Sequence, residues 1–350
     1  MSAQLRWGVI GSGGIARRRT IPEGILAADN AVLAGVFDIN EETARATAEQ
    51  FRAPQFNSLA ALLAGGIDAV YVATPASLHA QHVIQAAAAG KHVLCEKPLG
   101  LTEREARSMI RACERAGVTL GTAFMMRFTA QHRAARDMIR RGDLGTLVYG
   151  RAQLSCWYPP IPGAWRQDPA LGGGGSLIDM GGHCIDLLEM FFGDAVAVSC
   201  RIGRLVHSYP SEDSAVTLLE FQGGALATVD SYFCIPDQSS RNVLEIYGSR
   251  GSILAEATIG QNAEGRMTAL LGGDSAAYNA AQARSGTGGI EIAPAPVNPY
   301  RAEIEEFSRA VLDKREPEIS ARLGMRSQIV ISACYRSARA GRRVRVRSDR

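Results

Sequence analysis

The apolar run Leu5–Ile10 passes directly into Gly11-Ser12-Gly13-Gly14-Ile15-Ala16, a G-x-G-x-x-A turn from a strand into a helix. Glycines there admit left-handed backbone and let a ligand approach the main chain, and the helix that follows presents unpaired N–H groups at its start. A strand that feeds such a turn belongs to a parallel sheet, and the chain keeps that rhythm to about residue 125. Further strands are expected at Val32–Phe37, Ala69–Ala73, Val93–Cys95 and Thr119–Ala123, with helices between them. Thr102, with Glu105 three residues on, caps a helix that runs to Ala116 and stops at Gly117; the helix after Ser77 stops at Gly90 in the same way.

Beyond Arg127 the rhythm changes. A helix from Ala130 to Arg141 precedes long alternating runs at Leu147–Tyr158, Val196–Val206, Ala215–Phe221, Ala225–Ser231 and Val243–Tyr247. Such runs, broken by turns like Gln222-Gly223-Gly224, predict an open, mostly antiparallel sheet with one covered face. The segment from Gly260 to Ala295 reads as long loops with weak strands, and helices over Tyr300–Asp313 and Arg322–Ala340 close the chain. The expected fold class is α/β: a doubly wound parallel sheet over residues 1–125 and an α+β unit over 126–350. At 350 residues, two such units are the natural division.

Asp38 ends the second strand, 22 residues after Ala16. A carboxylate there accepts both hydroxyls of an adenosine ribose and repels a 2′-phosphate, so the turn and Asp38 together predict a dinucleotide site that favours NAD over NADP. Asp38 also reads as a helix N-cap, which is compatible with that role. The arginines at 17, 18 and 19 either offer the phosphates extra charge or form a solvated helix face, and the solvated face is the expectation. Ala73-Thr74-Pro75, at the end of the third strand, should line the ribose and nicotinamide side. His79 is a candidate cofactor neighbour, and His82 is read as surface.

Glu96-Lys97-Pro98 follows the fourth strand and places an ammonium group at the edge where open α/β sheets bind ligands, with Pro98 restricting the lysine backbone. Glu96 is read as a structural partner rather than a base, and Glu96 and Lys97 are both expected to border the cofactor. The second dense stretch is Gly172-Gly173-Gly174-Gly175-Ser176, followed by Asp179, Gly181, Gly182 and His183. On a helix opening near Ser176, Asp179 and His183 are four apart and share a face. Imidazole exchanges protons near neutrality, which suits His183 to a hydroxyl or carbonyl oxygen. Asp179 either orients it or holds a substrate hydroxyl; Asp186 either contacts His183 from the other side or lies on the helix surface.

Composition removes several alternatives. Arg342, Arg343, Arg345, Arg347 and Arg350 against Asp349 give the last nine residues +4 of the net +3, and Val344 and Val346 alternate with them as in a strand with one solvated face. Nucleic-acid binding is not expected. Seven cysteines without a C-x-x-C pair predict neither a disulfide framework nor a metal site. No apolar stretch has membrane length and the start reads as a strand, so a cytoplasmic protein is expected.

With the glycine turn, Glu96-Lys97-Pro98, Trp165-Arg166, the run Gly173–His183 and Asn298-Pro299-Tyr300, the chain resembles the Gfo/Idh/MocA oxidoreductases over nearly its whole length. The resemblance implies a Rossmann domain and a C-terminal domain whose open sheet assembles homodimers or homotetramers. It implies that Lys97 is the active-site lysine and that Asp179 and His183 face the substrate. Arg127, in Met125-Met126-Arg127-Phe128, lies near nicotinamide and substrate by the same comparison, and Trp165 and Arg166 approach the cofactor. The implied activity is hydride transfer between a secondary alcohol of a sugar, cyclitol or related polyol and NAD. An NAD-using glycosidase and a non-catalytic dinucleotide-binding regulator are the alternatives. Asp38 departs from the family's anhydrofructose reductases, whose second strand typically ends without an acid. Tyr158, Trp157, His207 and Tyr300 are further candidates for the pocket wall, and whether Lys97 or His183 takes the proton is left open.

Overall fold

The computed structural model describes residues 3–261, 265–272, 280 and 288–348. Five strands form the first sheet: β1 (Leu5–Ile10), β2 (Ala31–Phe37), β3 (Ala69–Val72), β4 (His92–Glu96) and β5 (Leu120–Ala123). All pairs are parallel and the order is β2-β1-β3-β4-β5. Val9, Ile10, Val70, Tyr71, Val72 and Leu94 are fully buried, as strands covered on both faces require. The order reverses at β1, so a crevice opens beyond the carboxyl ends of β1 and β3. Gly11 closes the floor of that crevice. At φ +83° a Cβ on it would lie 2.8 Å from the Ala73 and Thr74 backbone, so only glycine fits.

The expected helix after the glycine turn forms as a wide segment, Ala16–Ile25, in which Leu26 N bonds Ile21 O five residues back. Pro22 lies inside it and cannot donate, which removes one rung of an ordinary α ladder. The helix Glu103–Ala116 has the predicted ends, with Thr102 Oγ1 accepting from Glu105 N and Gly117 left-handed.

Among the described residues nine strands form the second sheet: β6 (Leu147–Ser155), β7 (Ala195–Gly203), β8 (Ser214–Phe221), β9 (Leu226–Tyr232), β10 (Val243–Gly248), β11 (Gly251–Glu256), β12 (Arg266–Leu271), β13 (Ile290–Glu291) and β14 (Val344–Arg345). The order is β13-β12-β11-β10-β6-β9-β8-β7-β14. Every pair is antiparallel except the central β6–β9, which is parallel because the helix Gly182–Phe192 lies in the long crossover between β6 and β7. Helices Gly182–Phe192 and Ala321–Ala340 cover one face; Val148, Val216 and Ile290 are exposed on strands of the same sheet. The loop-rich stretch from Gly260 contributes β12 and β13, and its other parts, 262–264, 273–279 and 281–287, lie outside the described residues.

The last two helices return to the first sheet. Phe307 packs on Trp7 with ring centroids 5.4 Å apart, Trp7 Nε1 donates to Ser308 Oγ at 3.1 Å, and Thr122 N donates to Ile319 O at 2.9 Å. Met325 and Ile329 are buried among residues of β3 and β4. Residues beyond 298 therefore complete the core of the first layer while also covering the second sheet, which fixes the two sheets around a shared cleft.

Candidate active site

A cavity of about 410 Å³ occupies that cleft. The first sheet contributes Ala73 and Thr74 from the end of β3 and Glu96 and Lys97 from the end of β4, and the second unit contributes Tyr158, Trp165, Arg166, Asp179 and His183. Ile15, His79 and Tyr300 also line it.

Lys97 Nζ donates to Asp179 Oδ1 and to the Asp179 carbonyl, both at 2.8 Å. Arg166 Nε stands 3.1 Å from the same Oδ1 without hydrogen-bond alignment, and its guanidinium lies 4.1 Å from the centre of the Trp165 ring. Burial opposes ionisation of Asp179, but Arg166 and Lys97 outweigh it and hold the carboxyl well below its ordinary range. Asp179 and His183 share the cavity wall, yet no hydrogen bond joins them, because the carboxylate is turned to Lys97. His183 Nδ1 is buried without a partner, and its ring stands edge-on to Phe124 at 6.4 Å. Burial, reinforced by the Lys97 charge, pushes the imidazole well below its usual value, so the ring is neutral near pH 7.

The local backbone explains the glycine run. A Cβ on Gly175 would lie 2.0 Å from Glu212 O, while Glu212 Oε1 accepts from Gly175 N at 2.8 Å, Leu177 N at 3.1 Å and Tyr335 Oη at 2.8 Å. The helix then opens as a wide turn, Leu177–Gly181, before the regular helix Gly182–Phe192. Glu96 faces inward as a structural partner: Tyr71 Oη donates to Oε1, and Thr20 Oγ1 donates to Tyr71 Oη at 3.0 Å. Burial raises the Glu96 carboxyl against the pull of Lys97.

At the other end of the cleft, no atom lies within 4 Å of a Cβ on Gly14, whose φ is +46°, so the turn is open to a ligand there. Ser12 Oγ is buried without a partner. Asp38 Oδ2 accepts from Gly13 N at 3.2 Å and Oδ1 from Asn40 N at 2.9 Å. The cap of the next helix is Asn40, which accepts from Thr43 N at 2.9 Å, so Asp38 is not the cap. Pro75 begins the helix Ala76–Ala88 beside Thr74.

Several sequence expectations change. Arg127 does not line the cavity: its Nε donates to both Asp186 oxygens, at 2.9 and 2.8 Å, in a buried pair. Asp186 is thereby neither a partner of His183 nor on the surface. His79 keeps its expected place on the cavity lining but is buried, with Nδ1 2.8 Å from Pro98 O and Nε2 2.9 Å from Thr74 O, and its neutral ring donates to one of these two strand-end carbonyls. His82 is half-buried with Nδ1 3.1 Å from Thr74 Oγ1. Trp157 and His207 pack on each other at 4.9 Å and lie off the cavity. Arg18, expected on a solvated face with phosphate contact as the alternative, lines the cavity and donates to Gly14 O at 3.3 Å, while Cys156, Phe233 and Asn242 had not been singled out. The spacing Arg18 to Gly14, one helical turn, was the available signal for the first; the others had none.

Residues 5–124 match the oxidoreductase family with an NAD-binding Rossmann fold, and residues 132–254 match the GFO/IDH/MocA C-terminal domain. A 1,5-anhydro-D-fructose reductase of Ensifer adhaerens is 30% identical over 96% of this chain and 97% of its own length. D-xylose 1-dehydrogenase (NADP(+)) 2 of Haloferax volcanii is 30% identical over 96% of this chain and 98% of its own. The solved aldose-aldose oxidoreductase from Caulobacter crescentus, complexed with glycerol, superposes with a TM-score of 0.87 at 29% identity and covers 98% of this chain and 99% of that one. With both halves matched and the same architecture throughout, the chain belongs to the Gfo/Idh/MocA oxidoreductases, a family with an NAD-binding Rossmann fold.

Proposed function

We propose that this protein transfers a hydride between a secondary alcohol carbon of a sugar, cyclitol or related polyol and NAD, with Lys97, Asp179 and His183 as its catalytic residues. The observation that carries this reading is the Lys97–Asp179 contact, which brings an ammonium from the first sheet onto the wall that holds a neutral imidazole. The reductase and dehydrogenase relatives, named for sugars and sugar derivatives, support the substrate class.

The residues present fit NAD. Gly11–Gly14 and Ser12 Oγ suit its pyrophosphate, with Arg18 beside them, and Asp38 suits an unphosphorylated adenosine ribose. Ile15, Ala73, Thr74 and Pro75 would border the remaining length, and Trp165 and Arg166 would contact it from the second unit. When bound, NAD supplies the hydride acceptor.

The rest follows from the chain itself. An ammonium has three donors, and Lys97 directs two at Asp179; the third is free for a substrate oxygen, where it stabilises developing negative charge. Asp179, doubly paired, stays ionised and serves as an anchor rather than a base. His183, kept neutral by burial, takes the hydroxyl proton. Tyr158 borders the substrate end. Met125, Met126 and Phe233 give the cavity apolar walls that limit water.

Screening NAD reduction against aldoses, inositols and uronates tests the reading. NADH accumulation with a polyol supports it, and release of a reducing sugar without net NADH would favour a glycosidase instead. Exposed Val148, Val216 and Ile290 support assembly as a homodimer or homotetramer through the open sheet. No helix among the described residues is long and apolar enough to cross a membrane. Seven free cysteines support a reducing, cytoplasmic setting.

A further inference from the structure

A second cavity among the described residues is larger than the catalytic one. A groove of about 840 Å³ lies on the far side of the glycine run, with Gly173 and Gly174 as part of its wall. Four separate stretches of chain send arginines into it: Arg104 from the helix after β4, Arg204 after β7, Arg336 and Arg339 from the last helix, and Arg347 from the tail. Among the described residues its carboxylates are Glu103, 3.3 Å from Arg336, and the buried Glu212, whose Oε1 already accepts three hydrogen bonds. Five cations against two anions leave the groove lining at +3, which equals the net charge of the whole chain, so the rest of the molecule is balanced. Among the described residues no carboxylate lies within ion-pair distance of Arg104, Arg204, Arg339 or Arg347. Solvation of one helix face does not account for convergence from four segments.

A second observation is independent of charge. Gln328 is 2% exposed and lines the groove. Its Nε2 donates to Leu101 O at 3.2 Å, which fixes the amide orientation, and leaves Oε1 buried without a partner. A buried acceptor without a donor is costly unless a ligand supplies one.

We propose that this groove binds a small molecule bearing both phosphate and hydroxyl groups, of sugar-phosphate size, at a site separate from the dinucleotide cavity. Guanidinium forks take the phosphate oxygens, and a ligand hydroxyl donates to Gln328 Oε1. The volume falls in the range of small-molecule sites.

The test uses the full chain saturated with NAD, so that the glycine turn is filled, titrated calorimetrically with glucose 6-phosphate, inorganic pyrophosphate and glucose. Glucose 6-phosphate should saturate one site per chain and weaken at least about tenfold in the triple variant Arg204→Ala, Arg339→Ala, Arg347→Ala, the loss expected for a few charge-assisted hydrogen bonds. Gln328→Leu should weaken glucose 6-phosphate and leave pyrophosphate unchanged. Equal affinity in the wild type and the triple variant, heats that never saturate, or binding of glucose alone as tight as its phosphate would overturn the proposal. So would a change in molar mass by light scattering in the triple variant with no ligand uptake by the wild type, since the groove would then be an interface between copies.

Discussion

Lys97 Nζ is held 2.8 Å from both the side chain and the main-chain carbonyl of Asp179, 82 residues further along the chain. The contact joins the end of β4 to the wide turn Leu177–Gly181, so one ion pair fixes the lysine's direction and bridges the two halves of the cleft.

Lys97→Met should lower hydride transfer by about 10²–10⁴-fold, the range for loss of one positioned acid or oxyanion donor. Asp179 keeps Arg166 as a partner, and the cofactor turn is untouched. NADH binding, followed by its fluorescence, should therefore stay within a few-fold of wild type. Turnover close to wild type in this variant would show that Lys97 is outside the reaction.

His183 must be neutral to accept a proton, and burial moves its titration below the ordinary histidine value of about 6.5. Raising the pH through that lowered value switches the base on. The acid limb of kcat/KM for alcohol oxidation should thus lie well under pH 6.5, and His183→Asn should abolish it along with most of the rate. An acid limb centred at or above pH 6.5 argues against His183 as the base.

Asp38→Ala should weaken NAD about tenfold or more, as expected for loss of a hydrogen bond to a charged group, and narrow the preference over NADP. Separate KM values for the two cofactors check this. An unchanged ratio means that Asp38 does not read the ribose.

His132 reports on stability apart from the site. It is buried with Nδ1 2.8 Å from Met126 O and Nε2 3.3 Å from Thr258 Oγ1, and burial pushes it down to about 4. Above pH 6.5 it is neutral both folded and unfolded, and its contribution is fully present. Between pH 6.5 and about 4 only the unfolded chain takes up the proton, so stability falls with pH. Relative to His132→Gln, the wild type should lose about 1.4 kcal/mol per pH unit across that window. Urea unfolding at pH 7.5, 6 and 5 measures the difference, and parallel curves would contradict it.

Much of the first sheet was legible because parallel strands and their caps are written locally. Leu5–Ile10 matches β1 residue for residue, and Thr102 and Gly117 mark the ends of the helix between them. The glycine turn and Asp38 lie together because each terminates a neighbouring strand of one sheet. Arg127 shows the limit: its motif placed it correctly at the end of β5, but nothing nearby in sequence announced Asp186, which captures it 59 residues later. The parallel β6–β9 pair was equally hidden, since alternation reveals which face of a strand is buried and not the direction of its neighbour.

The sequence by itself determined the two kinds of sheet, the dinucleotide turn and the residue types of the site, because periodicity, caps and turns act within a few residues. Only the tertiary structure decided that Asp179 serves Lys97 rather than His183, that His79 stands between the Thr74 and Pro98 carbonyls, and that five arginines share one groove. Those outcomes depend on how two layers dock, and docking is set by the summed packing of buried side chains remote from one another in the chain.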